Sequence, residues 1–461
     1  MFAFFKSNVL FILYCVAILL FFLSLAGKVK WPILFIAMLF PLRNVIEKMH
    51  MFPLGKDLID ILVLAIIFGW IISRIGGGRR IFDPSPVNGV AFLLIGYTFF
   101  SLLYGSQQLN LLRVFDISHP RVQDWKNFCM LPILFFLAYN NMTDKKWIMR
   151  TLMVMCLSMV VMDLYLIRQM TWYPSIVSRL KINGTFVYLG PNEVAAFYNE
   201  YTIILISLFL FMRRNLAKGL LFLLIITNLY CVLFLFSRGA YIATVVGLTA
   251  LFFVRSKKLL IPLIIVVICW HAFLPQRVKA RIEMTKNNYG QLDKSSQGRI
   301  RIWHESVELF KKNPVLGIGF GVFYYMGYEL GDVHNIYLKI LTEQGIIGLF
   351  IFLLLIIVFI QRGIRLYYHG EDDVARALGL GFACCIIVLL VNNFFGDRWT
   401  YLEVSSYLWI FAGLVERLNH GTTESDVGGD KDKKLSMAEN VSPNIVSGQV
   451  PDRPKRRTYY K

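Results

Sequence analysis

The feature that most restricts this chain is the recurrence of apolar blocks, about 16 to 22 residues long, separated by short polar connections. A helix needs about 20 such residues to cross a hydrocarbon core of roughly 30 Å, and an ordinary soluble domain has no use for so many of them. Blocks at 8–26, 57–74, 87–105, 127–142, 148–167, 194–212, 219–236, 239–254, 259–274, 343–360, 377–395 and 401–416 predict an all-α polytopic membrane protein with about twelve transmembrane helices. Composition agrees, with 57% hydrophobic residues and a mean hydropathy of +0.58. The run after Lys6 reads as a signal anchor rather than a cleavable leader. The dozen residues WPILFIAMLFPL, 31–42, are too few to cross untilted and predict a re-entrant or interfacial hairpin. All seven cysteines lie in or beside apolar blocks, which favours packing over a disulfide framework or a zinc site.

The net charge of +19 would suggest a nucleic-acid partner in a soluble protein. In a membrane protein basic residues first report orientation, so no nucleic acid is expected. Basic connections at Arg74 to Arg80, Lys145 to Lys146, Arg213 to Lys218, Arg255 to Lys258 and Arg362 to Arg376 can all face the cytoplasm if the blocks alternate in direction. Residues 275–338 then form one large extracytoplasmic loop, and both termini lie inside. Lys28, Lys30, Arg43, Lys48 and Lys56 are left outside, against the charge rule; a thirteenth span with an external N-terminus is the alternative. The tail from Asn419, ending PKRRTYYK, reads as a disordered cytoplasmic extension.

The informative residues are the cations left on the outer side. Arg168, Arg179 and Lys181 flank an outer connection, Arg238 begins a helix, and Arg398 sits in the last. Such side chains can snorkel to headgroups. For Arg238, inside NLYCVLFLFSRGAYIATVVGLTALFFV, a deep position would cost roughly 2.5–3.5 kcal/mol, and a compensating anion is the economical explanation. In the large loop, Ile300, Trp303, Val307 and Phe310 recur at helical spacing and predict an amphipathic surface helix capped by Ser295 or Ser296. Arg299 and Arg301 stand near its positive N-terminus, a place suited to phosphate. The following GIGFG, 317–321, lacks the spacing of a dinucleotide fingerprint and reads as a tight turn dipping into the bilayer face.

GTF followed by PNEVAAF at 184–197, SRGAYIATVVG at 237–247, GRIRIW and NPVLGIGFGVF at 298–323, and VHNIYLKILTEQGIIGLF at 333–350 together resemble the O-antigen ligase and polymerase superfamily of bacterial envelopes. The resemblance covers roughly residues 180–360. It implies an N-terminal helical region at 1–178, a ligase-like core at 179–360 that includes the periplasmic loop 275–338, C-terminal helices at 361–418 and the tail at 419–461. It further implies an inner-membrane glycosyltransferase that takes a glycan from undecaprenyl pyrophosphate at the periplasmic face. Arg238 and Arg299 would engage the pyrophosphate, and His334 would serve the acceptor hydroxyl. The insertion VYL between GTF and GPNE departs from the pattern, so no role is carried over to Asn192.

The residues present suit that chemistry. Arginine forks stabilise a departing diphosphate without a metal, and the outer side has no paired carboxylates of DxD type, so a metal-independent inverting displacement without a cofactor is expected. His334 can accept the hydroxyl proton, or simply stand at a helix start whose amides Asn335 or Asp332 bond. Asp332, Asn335, Arg179 and Arg301 are candidate supporting residues, and Glu329 or Asp332 can orient His334. Three acceptors remain open: a lipid A core sugar, the end of another lipid-linked polysaccharide chain, and a protein hydroxyl as in protein O-glycosylation. A transporter or flippase of lipid-linked glycans is the reading from another class.

Overall fold

The computed structural model describes residues 2–284, 294–328 and 331–439, with side chains described from residue 8 to 421 except at 294 and 295. Glu329 and the side chain of Ser295, both named above, lie outside the described residues. Among the described residues the chain forms seventeen α-helices and no strand. They are α1 (Phe2–Leu25), α2 (Lys30–Leu39), α3 (Arg43–Lys48), α4 (Leu58–Gly76), α5 (Pro86–Gln108), α6 (Pro120–Asn141), α7 (Lys145–Trp172), α8 (Pro191–Phe211) and α9 (Asn215–Phe234). There follow α10 (Arg238–Arg255), α11 (Leu260–Ile268), α12 (Trp270–Phe273), α13 (Gln276–Glu283), α14 (Lys294–Lys312), α15 (Ile336–His369), α16 (Asp373–Asn392) and α17 (Leu402–Glu439). Residues 1–419 make one compact unit; in the second, residues 420–461, α17 continues to Glu439.

Nine helices among the described residues are long and apolar enough to cross a membrane: α1, α4, α5, α7, α8, α9, α10, α15 and α16. The protein is a multi-pass membrane protein. Helices suit that solvent because each satisfies its own backbone hydrogen bonds. The three remaining blocks of the expected twelve differ in kind. Residues 127–142 belong to α6, which opens with the polar run RVQDWKN; 401–416 belong to α17, which carries Glu403, Glu416 and Arg417; and 259–274 break at Cys269 into α11 and α12. At the centre stand α8 and α16, with 83% and 72% of their apolar windows buried, packed on each other and on α10 and α15. At the perimeter α1 is 22% buried, and side chains such as Phe11 and Leu19 project outward as expected for contact with lipid.

The two ends of the bundle differ in charge. At one end Lys145 pairs with Asp372, Arg213 with Asp373 (2.8 Å), and Asp83 with both Arg74 (2.8 Å) and Arg417 (3.0 Å). Four of the five basic connections are thus tied by these pairs or adjoin them. Lys30 bonds Asp144 (2.8 Å) at this same end, and Lys28 shares a cleft there with Arg74. This corrects the expectation that Lys28 and Lys30 lie opposite. The ten residues of α2 then carry the chain back toward Arg43, buried among α1, α4 and α7 rather than hairpinned at an interface. Too short to face lipid across a bilayer, α2 is apolar because protein surrounds it.

The other end gathers the segments between helices into a cap. The GIGFG turn inserts between α5 and α15: Ile318 and Gly319 donate to the carbonyls of Thr342 and Glu343, and Phe320 donates to that of Ser101. Gly319 has φ 106°, and a side chain there would strike the Gly105 backbone at 2.2 Å. A positive φ and a close approach together leave room only for glycine. Helix α15 breaks at Gly345 (φ 64°), where Ile346 donates to Pro314 instead of continuing the helical ladder. Helix α14 lies across this cap. It buries Ile302 and Ser306 while Ile300 is exposed, so its inward face is rotated from the expected line through Ile300 and follows the turn residues Ile318, Val322 and Val333.

Candidate functional site: an arginine-lined cavity

A cavity of about 400 Å³ opens at the cap end, where α8, α10, α13, α14 and the α16–α17 connection meet. Arg179, Arg238, Arg281, Arg299 and Arg398 line it, with Asn192 at its edge. These residues come from five separate segments, so the concentration of charge is a product of folding and not of local sequence. Among the described lining residues none is acidic. Glu193 pairs with Arg398 at 2.7 Å.

Local structure explains how the cations are held. Ahead of α10 the backbone turns through Phe236 at φ 51°, an unfavoured conformation for a bulky residue. Arg179 and Arg281 hold that turn, donating to the carbonyls of Leu235 (3.2 Å) and Phe236 (3.2 Å). Arg238 is therefore presented as the first residue of α10, whose N-terminal turn lines the cavity. Ser296 and Arg299 bring the early turns of α14 to the same space. Helix N-termini add partial positive charge to the five guanidinium groups. Burial first, and then the neighbouring Arg281, push the Arg179 pKa down to about 10.

His334 stands beside this cluster, just before α15. Its backbone is left-handed, φ 54°, a conformation that costs a non-glycine residue on the order of 1–3 kcal/mol and that surrounding structure must impose. Asp332 imposes it: its Oδ2 accepts the His334 backbone amide (3.2 Å) and lies 3.3 Å from the ring Nδ1. Val333, between them, is fully buried, and its carbonyl accepts from the Trp303 indole of α14 (3.1 Å). Burial lowers the imidazole pKa from its ordinary value; Asp332 opposes the shift and Arg299 adds to it, with Glu193 and Arg398 also in electrostatic reach.

Of the residues expected from sequence, Arg238, Arg299 and Arg179 meet in one cavity, with His334 and Asp332 beside it. Arg301 is elsewhere: its side chain is 73% exposed and pairs with Glu305, because two positions along a helix turn a residue to the opposite face from Arg299. Asn335 is spoken for as the N-cap of α15, accepting from the amides of Tyr337 (3.0 Å) and Leu338 (3.2 Å). Sequence reasoning left out Arg281, did not place Arg398 in the site, and set Asn192 aside because of the insertion before it. Arg281 carries a faint signal, a short amphipathic helix whose Val278 is buried. Arg398 has no motif around it, only its position on the outer side.

A family model described as O-antigen ligase matches residues 220–353, less than a third of the chain. That stretch holds Arg238, Arg281, Arg299 and His334, whereas Arg179 and Arg398 fall outside it. No curated protein matches the chain. Over residues 220–353, then, the chain is similar to the O-antigen ligase family.

Proposed function

We propose that the protein is an inner-membrane glycosyltransferase that moves a glycan from undecaprenyl pyrophosphate to a hydroxyl acceptor on the periplasmic side. The observation that carries this reading is the convergence of five arginines on one cavity, with His334 in electrostatic reach of two of them, Arg299 and Arg398. The lipid-linked donor, a diphosphate diester, brings two negative charges to headgroup height, and the departing diphosphate monoester carries up to three. Arginine is the side chain best matched to it, because its planar fork bonds two phosphate oxygens at once and never loses its proton.

In the proposed step the acceptor oxygen attacks the anomeric carbon while the bond from that carbon to the diphosphate oxygen breaks. The hydroxyl proton passes to His334, and undecaprenyl pyrophosphate leaves with the bonding electrons, its growing charge met by Arg238 and Arg299. A single displacement inverts the anomeric centre. Asp332 beside Nδ1 keeps a proton on that nitrogen and leaves Nε2 to act as base. The depressed pKa of His334 keeps the ring neutral at envelope pH. A transporter reading is disfavoured by the placement of the cations at one end of the bundle, away from its middle.

The acceptor is a lipid A core sugar or a growing polysaccharide, with a protein hydroxyl as the third possibility. The deciding experiment is reconstitution with one defined undecaprenyl-pyrophosphate-linked glycan and each acceptor class in turn, with products read by mass and linkage. Transfer to one class that is abolished by His334→Ala supports the proposal. Donor left intact with every acceptor refutes it.

A further inference from the structure

A second cavity, about 390 Å³, lies at the same end of the bundle between α5, α6, α15 and the start of α17. Its chemistry is the opposite of the first. Three carboxylates, Asp124, Glu343 and Glu403, face two cations, Arg43 and Lys339, with Tyr401 among the aromatic walls. Mixed charge of this kind repels a diphosphate as much as it attracts one. It suits a neutral polyhydroxylated ligand, since each hydroxyl both donates and accepts and finds a carboxylate or a cation for each role. Aromatic faces take the C–H side of a sugar ring. Polar capacity is also free: Arg43 Nε is buried without a hydrogen-bond partner, 3.7 Å from Glu403 Oε1, while Asp124 and Asn127 line the cavity and are exposed.

The two cavities share a wall. Arg398 lines the first and Trp399 the second. Asp332 joins them chemically, touching the His334 ring with Oδ2 (3.3 Å) and the Lys339 ammonium with Oδ1 (3.4 Å). Lys339 is itself anchored on Asp397 (2.8 Å). A hydroxyl presented from the second cavity toward His334 would meet a donor seated in the first.

We propose that this second cavity is a saccharide-binding subsite that holds the acceptor glycan. The inference rests on the glycosyl-transfer reading for its role, but binding can be measured without turnover. The test is saturation-transfer NMR on the full-length protein in lipid nanodiscs. The probes are glycan released by mild acid from the host's lipid-linked pool and, separately, delipidated core oligosaccharide. One of the two is expected to give signal with the wild type and with Arg238→Met/Arg299→Met. That signal should weaken by about tenfold or more in affinity in Asp124→Ala/Asn127→Ala, which lose two hydrogen-bonding groups. Asn127→Trp, which fills the opening and leaves the charges in place, should do the same, and each variant's thermal melting reports its folding. Unchanged binding in the cavity variants, or binding lost only with the arginine pair, overturns the inference. So does a wild type that turns over donor but binds neither glycan. A wild type that binds glycan at this cavity but never cleaves donor upholds the subsite and refutes the transferase reading instead.

Discussion

Two regions of the cap gather arginine, and they differ in what else its charge faces. Arg121, one residue into α6, is 1% exposed, and its guanidinium ends on protein: two bonds to the Phe320 carbonyl (2.9 and 2.6 Å), one to that of Leu102 (3.0 Å) and one to Ser106 Oγ (3.2 Å). From the other side Glu343 accepts the amides of Gly321 (3.0 Å) and Phe323 (3.4 Å). A cation and a carboxylate thereby clamp an irregular turn whose backbone could not otherwise be buried. In the arginine cavity, by contrast, five guanidinium groups from five segments border open space, and the Arg179 pKa is driven down. Arg121 is spent wholly on one turn, whereas Arg179 and Arg281 hold the Leu235–Phe236 turn and still add to a concentration of positive charge around a cavity.

Substitutions test that distinction. Arg238→Met with Arg299→Met should abolish transfer, by about 10²–10³-fold for each donor lost, while the protein melts within a few degrees of wild type. Equal loss of folding would erase the contrast. His334→Ala comes next, with transfer reduced about 10²- to 10⁴-fold and donor binding retained. Its pH dependence sharpens the picture. Because the His334 pKa is lowered, the neutral base persists below the ordinary imidazole value of about 6.5, and the rate falls only as pH drops through the depressed value. Asp332→Asn, removing the group that raises this pKa, should move the acid limb of kcat lower still, and Arg299→Met should move it higher. Limbs that stay in place would separate His334 from these two neighbours.

Arg121→Met should act on the other side of the comparison. It strands the Phe320 and Leu102 carbonyls at about 1–3 kcal/mol each, so thermal melting and the yield of folded protein should fall, and transfer should fall only as folded protein does. The smallest effect expected is that of Asn335→Ala. Loss of the α15 cap costs about 1 kcal/mol, visible in melting temperature and close to silent in donor binding.

Hydropathy made the helices legible because the bilayer imposes one length on every span, but it failed where apolarity has another cause. The segment 31–42 is apolar because α2 is buried inside protein, and with that ambiguity went the side assigned to Lys28 and Lys30. The candidate site was legible in part. Arg238 announced itself by interrupting an apolar block, and Arg299 and His334 lay within stretches that resemble a known superfamily. Arg398 and Arg281 had no such mark, since what unites them with the others is a meeting of distant segments. Arg301 was misleading for a simple reason: neighbours in sequence on a helix do not share a face. Arg121 shows the same limit from the other side, because only the path of the Gly319 turn reveals which carbonyls it serves.

The most direct test is electron cryomicroscopy of the protein in nanodiscs loaded with undecaprenyl pyrophosphate. The account predicts diphosphate density inside the first cavity, within hydrogen-bonding distance of Arg238 and Arg299 and on the side that faces His334. Diphosphate seated anywhere else, or bound equally well after both arginines are replaced, would contradict it.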